Sequence, residues 1–538
     1  MKQSAIHLVT ASVFLTLLAS TPTAHSANWF KLRGTEPGGT AHTLQVWGFL
    51  QPRYVTDQSK DINISVGPAA LQGALNGSHV VPGTIPRERQ VQDSFYMRRA
   101  RIGIRGTMLP INNDVDYFIL TEWGQNGVTD GGGNSSIGGG AAELLDASVT
   151  FNQLSGQIDD NGLHKLGARF RLGQFLFSQT SEALSHSTPG RRVHMFFPEI
   201  TFFNSLRRRT FDNANGNFPG ERSVNAARDI GAEVFDFGEF GNPDKPYEFT
   251  YSFALGNGDT IGEFNQDDNL RKYAWLSFGR LLDNTRGPRR HDWMIYGFWQ
   301  DGDILFNDDI NNDGISDNTQ INPVAGFAPG NFGPGIGGLT NAQPVGCLDA
   351  NGNALTAWSP GELCRNGNQK NYNQTYTGIG FEYFDKPYDN WGQIRFNAEY
   401  QKMDGFIFDG ANSPSSAYIS GVRHDVDGKN EGWYVDVGYD IQKHLGWRNR
   451  TTVNLRWDEF DRNKDDPARA VHGTGLTFTG EYFFHKKARL TFTYQHRKWD
   501  TDDRTAATAR AVGNAILSNV DDRIGLEVTF IFKNVLLR

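Results

Sequence analysis

From Leu44 onward, apolar and polar residues alternate with a period of two in segments of about ten residues, each bounded by Gly, Asn, Asp or Pro. That pattern predicts strands with one apolar and one polar face. Sixteen fit it: 44–55, 95–108, 114–123, 143–152, 164–175, 229–236, 246–255, 271–281, 290–299, 374–384, 390–402, 431–440, 449–458, 472–485, 487–497 and 522–533. In the second, Ala100, Ile102 and Ile104 alternate with Arg99, Arg101, Gly103 and Arg105, so three guanidinium groups share one face. In the last, Ile524, Leu526, Val528, Phe530 and Phe532 alternate with Arg523, Gly525, Glu527 and Thr529.

The connections alternate too. After even-numbered strands they are mostly a few residues, as in Leu109–Asn113 and Asp385–Asp389, with a longer one after the fourth; after odd-numbered strands they are long, the longest near 300–373. Short turns at one rim and long loops at the other describe an all-β, 16-stranded antiparallel transmembrane β-barrel, with periplasmic turns, external loops and a lumen wide enough for water. A soluble sandwich or propeller also alternates, but neither predicts the two loop classes.

Composition then becomes intelligible. The 538 residues include 61 Gly, 38 Phe, 17 Tyr and 12 Trp, and the net charge is −8. A mean hydropathy of −0.50 is an average over lipid-facing, water-facing and loop residues. No basic footprint marks a nucleic-acid binder. Beyond the N-terminus no uncharged apolar run approaches the ~18 residues of a spanning helix. Lys2, the apolar stretch Ala11–Ser20 and the small residues Ala24 and Ser26 read as a signal peptide over 1–26. The expected organisation is then a periplasmic segment at 27–43 and a barrel at 44–538, with a pore-folded third loop at 176–228 and a long external loop at 300–373.

Several short segments, in order, carry a resemblance. Phe95–Gly106 (FYMRRARIGIRG), Asp146–Val149 (DASV), Leu172–Phe175 (LGQF), Arg228–Gly231 (RDIG), Phe253–Gly258 (FALGNG) and Gly432–Val435 (GWYV) resemble strand signatures of the phosphate-selective porin O/P family. The resemblance implies a sixteen-stranded, homotrimeric porin in the outer membrane of a Gram-negative bacterium, set in lipid and lipopolysaccharide, passing small anionic or polar solutes. This chain departs from the family pattern in three ways. Gln174–Ser178 lacks a proline, the fifth external loop is unusually long, and Lys533–Arg538 follows the last aromatic residue.

The candidate pore chemistry is cationic. Arg191, Arg192, Arg207, Arg208, Arg209 and Arg222 exceed the acids of the third loop, and Arg99, Arg101, Arg105, Arg169 and Arg171 fall on the expected lumen face. Clustered guanidinium groups lower the barrier for anions by partly replacing lost hydration. With Asp436, Asp458, Glu481 and Glu527 on later strands, one reading is a field across the pore. The other is that lumen arginines pair with carboxylates such as Asp116, Glu122 and Asp146 and solvate the wall. The near balance of lumen charges limits the expected preference for anions such as phosphate to a mild one.

Two features occupy the long external loop. Asp309, Asn311, Asp313, Ile315 and Asp317 have the spacing of a calcium loop, with Gly314 at the turn, yet Gln320 replaces the bidentate Glu at position twelve. A structural Ca²⁺ site and a solvated Asn/Asp-rich turn both fit, and no other cofactor is called for. Cys347 and Cys364, the only cysteines, are expected to form a disulfide in an oxidising compartment. The Gly-rich stretch 130–140 lacks the Lys of a phosphate-binding loop and no G-x-S-x-G is present, so no enzyme is indicated. Two functions follow: a passive diffusion channel, or a barrel that serves mainly as an interaction scaffold through its external loops.

Overall fold

The computed structural model describes residues 44–63, 65, 76, 93–108, 112–124, 143–177, 179–181, 184, 193–204, 206–209, 222–225, 228–258, 269–283, 290–307, 369–387, 391–408, 424–464, 470–485, 487–503, 505 and 507–537. The segments expected at 1–26 and 27–43, the calcium-like run 309–317, both cysteines, Arg191 and Arg192 lie outside these residues.

The strands are β1 Leu44–Asp57, β2 Asp93–Met108, β3 Asn112–Glu122, β4 Glu143–Leu154, β5 Ala168–Leu176, β6 Leu206–Arg209, β7 Arg222–Asn225, β8 Arg228–Phe240, β9 Tyr247–Gly256 and β10 Arg271–Leu281. They continue as β11 Asp292–Asn307, β12 Gln369–Asp385, β13 Ile394–Phe408, β14 His424–Asp440, β15 Thr451–Arg462, β16 Val471–His485, β17 Ala488–Asp500 and β18 Arg523–Leu537. Among the described residues three helices, α1 Glu199–Asn204, α2 Gln442–Leu445 and α3 Ala507–Leu517, lie in connections. All strands except β6 and β7 form one closed antiparallel barrel of sixteen, in which each pairs with its sequence neighbour, β5 pairs with β8, and β1 with β18. The hairpin β6–β7 is a separate sheet inside the β5–β8 connection.

Closure engages the tail that departs from the family pattern. Leu44–Trp47 pair with Leu537, Val535, Asn534 and Lys533, so the residues after Phe532 continue the last strand. β11 and β12 pair out to Asn307 and Gln369, so both ends of the expected 300–373 loop are strand. Gly405, at φ 94°, sits at the register shift in β13, a conformation that residues with a Cβ rarely adopt.

Polarity is inverted relative to a soluble fold. Outward residues are apolar and exposed: Leu455 is 50% accessible, Ile379 58% and Val437 49%. Inward residues are polar and buried, including Arg101, Gln300, Gln401, Thr479, Thr493 and Glu527. Such a surface is costly in water and matched to hydrocarbon, where a closed barrel also leaves no backbone N–H or C=O unpaired at an edge. Among the described residues no helix is long and apolar enough to cross a membrane.

Candidate functional site

The third loop folds into the barrel and docks on its wall. After β5, Phe177 is buried between Phe175 and Tyr273, with ring centroids 4.3 and 4.4 Å away. The Ser181 N–H donates to Glu399 Oε2 at 2.9 Å and its hydroxyl donates to Glu382. At 193–201 the loop meets the opposite side. The buried His194 ring reaches Asp436 Oδ1 at 3.0 Å from Nε2 and Thr479 Oγ1 at 2.8 Å from Nδ1. Met195 and Phe196 pack on Val55 and Tyr96. Arg523 lies 3.9 Å over the Phe196 ring and Arg53 5.9 Å from it, while Arg456 Nη1 donates to the Phe196 carbonyl at 3.1 Å. Glu199 opens α1 and accepts from Arg523 Nη2 at 3.1 Å, and Thr201 accepts from Gln401 at 2.5 Å.

The wall has space for this segment at two glycines. A Cβ on Gly525 would come within 2.6 Å of Met195 Cε and 3.2 Å of Phe196 Cζ, and one on Gly432 within 2.9 Å of Ile200 Cβ. The Glu199 carboxyl is fully enclosed; burial pushes its pKa up, although the Arg523 guanidinium pulls the other way. Removing a carboxylate from water costs more here than the pair returns.

The wall arginines named from sequence do not stand apart from the acids. Arg101 Nε meets Glu122 at 2.7 Å, Arg169 meets Asp236 at 3.3 Å, and Arg171 is paired with Glu233 between the rings of Phe175 and Phe235, 4.4 and 4.8 Å away. Arg99 and Arg105 donate to amide oxygens, of Gln51 at 3.1 Å and Gln45 at 2.8 Å. The same holds further round the wall, where Arg53 meets Glu527 at 2.6 Å, Arg489 meets Glu481 at 2.6 Å and Arg395 meets Asp436 at 3.1 Å. The field across the pore is therefore corrected: opposite charges alternate locally instead of segregating, because a guanidinium in a confined lumen is stabilised most by a carboxylate within contact. Arg207, Arg208 and Arg209 form most of β6, in which Arg209 is directly opposite Arg222 of β7.

Sequence reasoning missed His194, Phe196 and the pairs Arg228–Asp146, Arg290–Glu248 and Arg497–Asp57, at 3.1, 2.8 and 2.8 Å. Arg497 was within reach, since it falls on the inward phase of a strand; Arg228 shares the phase of the outward Ile230 and reaches Asp146 from the very start of its strand, and nothing in the sequence marks it or His194. Among the described residues, His496, Asp521 and Asp522 bring ligand atoms within 4.8 Å of one another at the long-loop rim, but Tyr494 and His496 each already bond Asp522 at 2.6 Å.

No family model matches the sequence. No curated protein matches it either. Solved structures of similar fold include the outer-membrane channel DcaP of Acinetobacter baumannii, 12% identical with a TM-score of 0.42, covering 92% of this chain and 99% of that one. An anion-selective porin from Comamonas acidovorans is 11% identical with a TM-score of 0.41, covering 91% and 99%. OprB of Pseudomonas putida is 9% identical with a TM-score of 0.43, covering 91% and 94%.

Proposed function

We propose that this chain is an outer-membrane porin of a Gram-negative bacterium, a water-filled channel for passive diffusion of small polar solutes with a mild preference for anions such as phosphate. The observation that carries the reading is the inverted polarity of a closed sixteen-stranded barrel, apolar outside and lined with ion pairs and amides inside. A barrel of this size has room for a polar lumen. The third loop, docked on the wall at β12 to β14, β16, β18 and β1, is suited to narrow that lumen without breaking the sheet. Paired arginines favour a mild preference over a strong one, since each wall carboxylate offsets a cation; the excess comes from the third loop, whose β6–β7 register sets Arg222 opposite Arg209. A homotrimer and the arginines as anion-attracting groups belong to the same proposal.

The test is reconstitution of purified protein in planar bilayers under a salt gradient. Stepwise conductance with a reversal potential on the anion side is expected; absence of conductance steps overturns the channel, and a cation-side reversal overturns the preference.

A further inference from the structure

The outer surface is not uniform around the barrel. At the long-loop end of β10 to β14 the outward positions form one hydrogen-bonded row, Lys272–Asp301–Thr375–Asp404–Lys429. One step below, a second row runs Lys402–Glu431–Asp461–His472–Asp500 across β13 to β17. Beyond them the charges step down to Lys498 and His496 on β17, as expected where tilted strands cross a level plane. Lys272, Lys429 and Lys498 are exposed. The collar mixes both signs: Lys402 meets Asp404 at 2.7 Å, His472 meets Asp461 at 2.8 Å, and Lys464, beyond the end of β15, pairs with Glu431. Directly beneath, Tyr400 and Trp433 begin the apolar band, and the Tyr400 hydroxyl donates upward to Glu431 at 3.2 Å. At the same ends of β3, β4, β8 and β9 the outward residues are Thr121, Leu144, Ile230 and Leu255, none of them charged.

Lysines concentrated on the β10–β17 arc and charge missing from the same ends of β3, β4, β8 and β9, with an aromatic belt beneath the arc, mark a boundary between hydrocarbon and headgroups. The core of a subunit contact is depleted of charged residues, so this arc is unsuited to be covered by a second copy. We propose that the β10–β17 collar docks phosphate-bearing headgroups of outer-leaflet lipid, with Lys272, Lys402, Lys429 and Lys498 taking phosphate oxygens. Exposed lysine–carboxylate pairs are weak. A lipid phosphate, with more charge over more oxygens, exchanges into them, and the displaced carboxylates draw divalent cations that share the same phosphates. The inference rests on the membrane reading above and adds to it a lipid class and a side of the barrel.

The test uses the full-length protein in maltoside micelles, incubated with bis-phosphorylated lipid A or its dephosphorylated form and counted by native mass spectrometry. A Lys272→Gln/Lys402→Gln/Lys429→Gln/Lys498→Gln variant is compared, along with two double variants, Lys272→Gln/Lys429→Gln and Lys402→Gln/Lys498→Gln, which cover failure of the quadruple variant to fold. The unchanged protein is expected to retain the phosphorylated lipid roughly tenfold better, each double variant to lose part of that preference and the quadruple variant all of it. Bilayer conductance, recorded separately, stays unchanged and reports on the channel reading independently. Equal retention of the two lipids by the unchanged protein overturns the proposal, as does a preference that survives all four substitutions. Dissociation of an oligomer in the variants, with lipid retention intact, assigns the arc to a subunit contact instead and overturns it as well.

Discussion

Replacing Phe196 by Ala tests whether the third loop is held in the lumen by the contacts described. The ring is 3% exposed, stacked under Arg523 at 3.9 Å, near Arg53 at 5.9 Å, and packed on Val55 and Tyr96. Truncating a buried Phe costs ~3–5 kcal/mol including the cavity left behind, of which the guanidinium contacts contribute about 0.5–2 kcal/mol. At 1.4 kcal/mol per factor of ten, the ratio of docked to released loop falls by roughly two to three and a half orders of magnitude. The sheet itself, held by its own ladder, keeps its heat-modifiable migration. Single-channel recording reads the result: Phe196→Ala is expected to broaden the conductance distribution and raise open-channel noise. Phe196→Leu, which keeps most of the apolar volume, costs about 1.5 kcal/mol and stays close to the unchanged protein. A Phe196→Ala channel with conductance and noise identical to the unchanged protein refutes the anchoring argument.

Glu199 carries a pH dependence. Its folded pKa is raised by burial, so docking is strongest below the ordinary glutamate value of about 4.3 and weakens as pH rises through the raised value; Glu199→Gln should flatten open-channel noise against pH across that window, and an unchanged profile counts against it. Arg171→Met leaves Glu233 buried with only the Ser252 hydroxyl donor, at 2.6 Å, of its described partners, and should lower barrel stability by ~3–5 kcal/mol, seen as a drop in the unfolding temperature on semi-native gels. Adding Glu233→Leu should recover most of that loss, and a double variant no better than the single one contradicts the pairing. On the outer face, Leu455→Arg near the middle of the apolar band is expected to cost ~2–4 kcal/mol and to reduce folding into lipid vesicles; normal folding yield argues against lipid contact there.

The paired lumen has a physical consequence for transport. A cation whose charge is offset by a carboxylate on the next strand creates a field that falls off within a few ångströms, so discrimination depends on groups at the narrowest point and not on the sum over the wall. Arg171, held between two rings and Glu233, is fixed in place, whereas Arg105 is half-buried and donates to the neutral amide of Gln45.

Much of the architecture is written locally. Over 476–482 and 523–530 the period-two pattern assigns inward and outward residues correctly, because a pleated strand between lipid and water leaves no other register compatible with burial. Loop lengths supplied the strand count, since an antiparallel neighbour needs only a tight turn at one rim. The charge partners were not legible in the same way: Arg101 and Glu122 are both on inward phases, but which acid faces which arginine depends on register and shear, and these follow from closure of the whole sheet. Strand ends such as Asn307 and Gln369, and the pairing of Leu44 with Leu537, needed the partner strand to be known. The docked loop lay furthest from sequence. His194 meets Asp436 and Thr479, and Glu199 meets Arg523, across hundreds of residues, and no local periodicity carries such contacts. The sequence by itself determined the barrel and which face of each strand meets lipid, through the partition of side chains between two solvents. Only the tertiary structure decided how the charges pair and where the third loop rests, because both depend on distances that exist once the sheet has closed.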